Sequence, residues 1–356
     1  MKPPATGAAG RMRLGRAILR RLPLIGTILG LGLGVWLVVT HDLHAVADAF
    51  GRIGALGLVA IVLVRAAIVA LCGVAWGRLL TGLARVEAGA FLILRFVREG
   101  INVLLPVASV GGDVVGGRLL TFWGVTGSLA AASILVDMLM QVATQGLFAL
   151  LGVVLLAQVG GGTAEALATW TTRALAVTAV IVAAFFAVQR SGAARDLVRR
   201  STGRMRRWAG AAVAPRNGAS GDAPGGVYAA LDAIWAPGRR GELAAGFGLH
   251  LLAWGLGAAE IWIALACIGV AGVTVTEVLV IEALSQAIKS AAFPVPSGLG
   301  VQEGGFVLLG GLFGLDPGTA LALSLAKRVP DVVLGVPALV AWQMLEARRA
   351  TVVAPK

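Results

Sequence analysis

Apolar runs of about 20 residues recur along the chain, separated by short basic or glycine-rich stretches. A helix of that length rises about 30 Å, enough to cross the hydrocarbon of a bilayer. The pattern predicts six full spans, over about 22–40, 53–76, 127–157, 171–189, 243–270 and 318–344. Two further apolar stretches, about 90–122 and 276–314, are interrupted by Pro and Gly clusters that break a straight helix. The expected fold is an all-α polytopic membrane protein with about six spans and two broken, re-entrant hairpins.

Basic residues orient the spans, because short loops rich in Lys and Arg stay in the cytoplasm. The arm before the first span holds Arg11, Arg13, Arg16, Arg20 and Arg21. The 41–52 loop has only Arg52, and the 158–170 loop has neither Lys nor Arg. A dense basic cluster then occupies 190–241, and the tail carries Arg348 and Arg349. Alternation works with both termini inside, provided that neither broken stretch crosses in net terms. The expected divisions are a basic cytoplasmic arm (1–21), a first membrane half (22–189), a basic cytoplasmic linker (190–241), a second membrane half (242–345) and a cytoplasmic tail (346–356). The N-terminus imitates a secretory signal, but 22–40 is longer than an h-region, so a retained helix is expected.

On this topology the two broken stretches open to opposite faces, each between two full spans, as inverted-topology repeats do. Setting Pro106 on Pro296 without gaps puts Asp113 on Glu303, Leu119 on Leu309, Trp123 on Phe313 and Gly124 on Gly314. The phase of Pro, acid and Gly favours a repeat.

Composition changes the picture by exclusion. With 58% hydrophobic and 13% charged residues and a mean hydropathy of +0.88, the chain is not a soluble domain, which carries roughly a quarter charged residues. Fifty Gly suit close helix packing in a membrane, and nine Trp against one Tyr suit interfacial anchoring. The net charge of +12 would suggest nucleic acid, but it sits on the flanks of spans, and the 190–216 loop offers only Trp208 for stacking. No nucleic-acid partner is expected. That loop either lies on anionic headgroups or only fixes topology. Cys72 and Cys267 lie in apolar segments, which gives no disulfide framework. His41, His44 and His250 are too dispersed for a metal site, so neither a metal nor another cofactor is implied.

Enzyme motifs are missing: no Walker A, nucleophile elbow, HExxH or paired CxxC occurs. Gly30, Gly32 and Gly34 lie inside the first span, where Gly26 and Gly30 give the small-residue spacing of packed membrane helices. The informative residues are polar ones at membrane depth, where an ionisable group costs several kcal/mol unless it is paired or faces water. The first broken stretch carries Arg98, Asn102, Pro106, Gly112, Asp113 and Arg118. The second carries Lys289, Ser297, Gly298, Gly300 and Glu303. Broken helix ends hold partial charge and can bind a polar ligand near the midplane, and the nearby cations suit a phosphate or zwitterionic headgroup. The other reading makes them structural hairpins in which Gly and Pro permit tight packing. Arg65, Asp137, Glu260, Lys327, Arg328 and Asp331 also fall inside spans. With a short insertion in the repeat register, Asp137 falls opposite Arg328. An ion pair or a relay through Asp137, Arg328 and Asp331 both fit.

The segments REGINVLLPVASVGGDVVGGRLLTFWGV and PVPSGLGVQEGGFVLL resemble the flippase-like superfamily that includes the membrane half of lysylphosphatidylglycerol synthases. Within it they look closest to the hopanoid-biosynthesis-associated HpnL branch. The similarity covers roughly 20–345, and the two motifs occur together in order. The resemblance implies a bacterial inner-membrane protein that moves or presents a lipid between leaflets. It implies that Asn102, Pro106, Gly112, Asp113 and Arg118 line the first hairpin, and Ser297, Gly298, Gly300 and Glu303 the second. The chain ends at Lys356 with no aminoacyl-transferring domain, so lysine transfer is not expected. The expectation is a non-enzymatic lipid translocator, with a hopanoid or related lipid as cargo. The alternatives are a scaffold for lipid-biosynthetic enzymes and a membrane-embedded enzyme acting on a lipid headgroup.

Overall fold

Among the described residues, four helices are long and apolar enough to cross a membrane: His44–Leu80, Gly127–Gln158, Thr171–Arg190 and Pro237–Ile268. They coincide with four of the expected spans. The computed structural model describes residues 32, 36, 43–105, 110–159, 162–192, 196, 224–292 and 295–352, and among these there is no strand. The span expected over 22–40 lies outside the described residues except for Gly32 and Trp36, as does the Arg-rich cluster of 197–216.

The helices are α1 (Leu43–Leu80), α2 (Ala88–Leu104), α3 (Gly111–Leu120), α4 (Gly127–Val159), α5 (Gly162–Arg190), α6 (Pro224–Ile234), α7 (Arg240–Ile268), α8 (Val275–Ala291), α9 (Val301–Leu312), α10 (Pro317–Ala326) and α11 (Val329–Val352). The 41–52 and 158–170 segments, expected as loops, are largely helical extensions of α1 and α5. Gly54 separates the extension of α1 from its span, with φ 64° and ψ 173°, a conformation that needs glycine. Part of the segment expected as a linker over 190–241 is described. From Pro224 it is helix, because Val227, Leu231 and Ile234 repeat at helical spacing and turn toward the core beneath α4.

The stretch 318–344 is divided. Pro330 lacks an N–H and crowds the carbonyl four residues back, so α10 stops at Ala326 and α11 begins at Val329. Asp316 caps α10 by accepting from Thr319 N–H at 2.9 Å.

Helices α2 and α3 have 17 and 10 residues, or about 26 and 15 Å, too short to cross separately. They pack against each other as a hairpin, and α8 and α9 do the same. Two apolar cores hold the molecule. One gathers Ala49 to Ile61 of α1, the ends of α4 and α7, α8, α9 and α10. The other gathers Trp76 to Leu80 of α1, α2, α3, the start of α4, α6 and part of α11. The α2–α3 hairpin therefore enters from one end and the α8–α9 hairpin from the other. Their broken tips touch where Ser297 Oγ donates to the Val103 carbonyl.

Candidate functional site

Between the two cores α1, α4 and α7 pass through a polar layer, and there a cavity of about 410 Å³ opens. Each wall is a helix face. On α2, Arg95, Glu99 and Asn102 recur at one-turn spacing. On α4, Gln141 and Gln145 do so, one turn beyond Asp137. On α8 the facing residues are Gln286, Lys289 and Ser290. Arg65 of α1, His250 and Trp254 of α7, Asp113 of α3, and Ser297 and Gly298 of the second break also line it, with apolar side chains such as Ile68, Val69, Met138 and Val142 between them.

Behind the α2 wall lies a buried ion network. Arg98 donates to Asp137 at 2.8 Å and pairs with Asp113, while its guanidinium lies 4.6 Å from the centre of the Trp76 ring. Asp113 also accepts from Asn102 Nδ2 at 3.2 Å, and Asn102 Oδ1 accepts from Gly112 N–H at 2.8 Å. Asn102 thus ties both arms of the first hairpin together. Asp137 further accepts from Gln141 at 2.8 Å and faces His250 Nε2 at 3.0 Å. Arg95 donates to Gln141 Oε1 at 2.9 Å and stands 3.5 Å from both Glu99 and Asp137.

A second network closes the other side. Lys327, at the α10–α11 break, reaches Glu282 at 2.7 Å, Glu260 at 2.8 Å and the Gly257 carbonyl at 3.1 Å. Glu260 also accepts two bonds from Arg65, at 2.7 and 2.8 Å. Arg328 pairs with Glu303 at 2.5 Å and donates to the carbonyls of Ser297 and Gly298 at 3.3 and 3.4 Å. Ser297 is the one non-glycine residue at positive φ (55°) among the described residues, a strain held by these contacts at the tip of the break.

A family described as the lysylphosphatidylglycerol synthase TM region matches residues 24–338. The chain belongs to that family. No curated protein and no solved structure matches it.

In this lysylphosphatidylglycerol synthase TM region, the match covers both hairpins, both networks and every residue of the cavity. Of the residues expected to bind substrate, Asn102, Asp113, Lys289, Ser297 and Gly298 line the cavity. Arg98 sits behind it, and Glu303 is buried against Arg328. Pro106 lies outside the described residues. Arg118 departs from expectation: at the far end of α3 its exposed side chain pairs with Glu346 at 2.9 Å, away from the cavity. Gly300 precedes α9 at φ 73°, a turn position, and is not among the lining residues.

The expected pairing of Asp137 with Arg328 does not form, since each belongs to a different network. Helices α4 and α10 begin at Gly127 and Pro317, in the same ungapped register that sets Pro106 on Pro296. Asp331 lines a small adjoining cavity with Arg65 and Glu99. The sequence pattern did not single out Arg95, Gln141, Gln145, Gln286 and Ser290, and it weighed His250 only as a metal ligand. Their signal was polar spacing at one helical turn within apolar runs, as in Asp137, Gln141 and Gln145.

Gly112 makes the hairpin possible. A Cβ there would come within 2.1 Å of the Arg98 carbonyl oxygen, a backbone atom that cannot swing away. Gly112→Ala is expected to destabilise the protein by about 3 kcal/mol or more through forced separation of α2 and α3. Thermal unfolding in detergent measures it. A wild-type midpoint would show that the two helices part without loss.

Proposed function

We propose that this protein translocates a lipid across the bacterial inner membrane, its cavity taking the polar headgroup while the tails stay in the bilayer. One observation carries the reading: both broken hairpins contribute charged and polar side chains to a headgroup-sized cavity between two apolar cores. A volume of about 410 Å³ falls within the roughly 300–1,000 Å³ of small-ligand sites. It is too small for a whole lipid.

The element order supports an inverted repeat. Helices α3 and α9 start at Gly111 and Val301, in the register that sets Pro106 on Pro296. Gly82 and Gly272, and Gly124 and Gly314, pair in that register, and all four have positive φ. Hairpins entering from opposite ends of such a repeat suit alternating access around one central site. Arg78, Arg85, Arg118, Arg190, Arg239, Arg240 and Arg348 gather at the end of the core that holds α6, which supports a cytoplasmic assignment for that end. A hopanoid or related cargo is what the two motifs imply. The reading makes the protein a carrier rather than an enzyme, driven by a gradient or by the lipid ratio itself.

The test is exchange of tail-labelled lipids between leaflets of vesicles holding the purified protein. Asp113→Asn and Glu303→Gln keep side-chain size and remove a charge. Exchange should fall in the double variant, because Asp113 lines the cavity and both carboxylates hold the arginines that position the hairpin tips. A stable double variant with full exchange would sink the site assignment. Unfolding of either single variant would assign the carboxylates to holding the hairpins instead.

A further inference from the structure

We infer that His250 takes up and releases the proton that drives this carrier, one proton moving for each lipid passage; the inference rests on the translocator reading for the cargo and on the charges of the buried layer for the proton. The Lys327 network is balanced, with Arg65, Lys327 and Arg328 against Glu260, Glu282 and Glu303. Lys289 and Asp331, on the two adjoining cavities, carry opposite charges that cancel in the count. The Arg98 network does not balance. Its cations are Arg95 and Arg98, and its carboxylates are Glu99, Asp113 and Asp137. Among the described residues the layer therefore carries one excess negative charge unless His250, which belongs to the same network, is protonated. An unmatched charge at membrane depth is costly, and histidine is the side chain whose ordinary titration lies near neutral pH. Protonation of His250 removes the excess, so the layer has a place for one exchangeable proton.

The surroundings of His250 suit that task. It lines the cavity but is only 1% exposed, so the ring meets the cavity at its edge and is otherwise enclosed. Helices α1, α4, α8 and α10 pack against α7 and bring the charged and titratable groups that face it. From α4, Asp137 Oδ1 lies 3.0 Å from His250 Nε2. From α1, Cys72 stands beside the ring, and Arg65 pairs with Glu260 further along α7. From α8 and α10, Glu282 and Lys327 meet at Gly257, two turns away. Asp137 links the proton to the first hairpin. Its other oxygen accepts from Arg98 and Gln141, both at 2.8 Å, and stands 3.5 Å from Arg95. Arg98 in turn holds Asp113 near the start of α3. A protonated ring shares the charge of Asp137 and weakens its hold on Arg98. A neutral ring returns that charge to Arg98 and tightens the hairpin. The two protonation states thus favour different hairpin arrangements, as coupling requires. The only bond made and broken is one imidazole N–H, its proton taken from water on one face and given to water on the other.

The experiment uses the full chain in phosphatidylcholine vesicles with a trace of tail-labelled phosphatidylethanolamine or phosphatidylglycerol as the probe. Potassium and valinomycin clamp the membrane potential. A step of one pH unit across the wild-type vesicles should shift the leaflet ratio of the probe by up to about tenfold, because one proton crossing one unit equals a factor of ten. Protein-free vesicles and a protonophore should both lack that shift. His250→Gln keeps a donor for Asp137 and takes up no proton, so its exchange should ignore the pH step. In detergent, nuclear magnetic resonance of ring-labelled histidine should show His250, identified by its loss in the Gln variant, titrating between about pH 5 and 9. Wild-type exchange that proceeds with no response to the pH step overturns the inference and leaves the translocator reading standing. An equal shift in His250→Gln does the same, as does a His250 resonance that does not titrate in that range. Should the Gln variant not fold, the wild-type pH step and protonophore decide. Absence of exchange of either probe at any pH ends the translocator reading for these lipids, and the coupling falls with it.

Discussion

Replacing Lys327 with Met is expected to lower the unfolding free energy by about 3–5 kcal/mol, the range for removing one partner of a buried ion pair. The Lys327 ammonium lies between the Glu282 and Glu260 carboxylates, at 2.7 and 2.8 Å, and both residues are essentially fully buried. Without it Glu260 keeps Arg65, but Glu282 keeps only the amide of Gln286. A carboxylate left this way either stays charged at high cost or takes up a proton, and both outcomes penalise the native state. Thermal unfolding in detergent reads the loss. The double variant Lys327→Met with Glu282→Gln should recover much of it, because the unmatched charge is gone. A Lys327→Met protein as stable as wild type would mean that water reaches these carboxylates, and that the α10–α11 break is not sealed.

Arg98→Met carries the second large effect, again about 3–5 kcal/mol. Arg98 is 1% exposed, bonds two carboxylates on different helices and stacks on Trp76. Its stem also fills the space that Gly116 leaves open, where a Cβ would come within 2.4 Å of Arg98 Cγ. Losing it should free α3 from α2, so hydrogen exchange in 111–120 should rise well before that in α4 or α7. Arg98→Lys should fall between the two. One ammonium cannot fork to Asp113 and Asp137 while lying flat on an indole ring. Unchanged protection of 111–120 in Arg98→Met would show that apolar packing alone fixes the hairpin.

The alternation of apolar runs with glycine and proline was enough to locate four helices long enough to span and the two interrupted hairpins. These are local consequences: a run of about 20 apolar residues must be helical in lipid, and a Pro–Gly cluster must interrupt it. The same local logic failed for 318–344, where hydropathy reads through the break that Pro330 imposes. It also left Asn102, Asp113 and Glu303 as a set of polar residues at depth, without saying which face the cavity and which face a partner.

Partnership is decided only by tertiary structure, because ion pairs join residues far apart along the chain. Arg65 meets Glu260 and His250 meets Asp137 through the pairing of α1 with α7 and of α7 with α4. No local rule assigns Asp137 to Arg98 rather than to Arg328. In a low-dielectric interior the nearest opposite charge wins, and nearness is set by how helices cross. Lys289 shows the converse. From sequence it is one cation among several near a broken helix, and only the packed structure places it on the cavity wall with no ion pair among the described residues. The amino-acid sequence by itself determined a helical membrane protein with two broken hairpins, since bilayer solvation acts on each segment separately. Which of its buried charges pair, and with which partners, depended on the three-dimensional arrangement of segments that the sequence keeps apart.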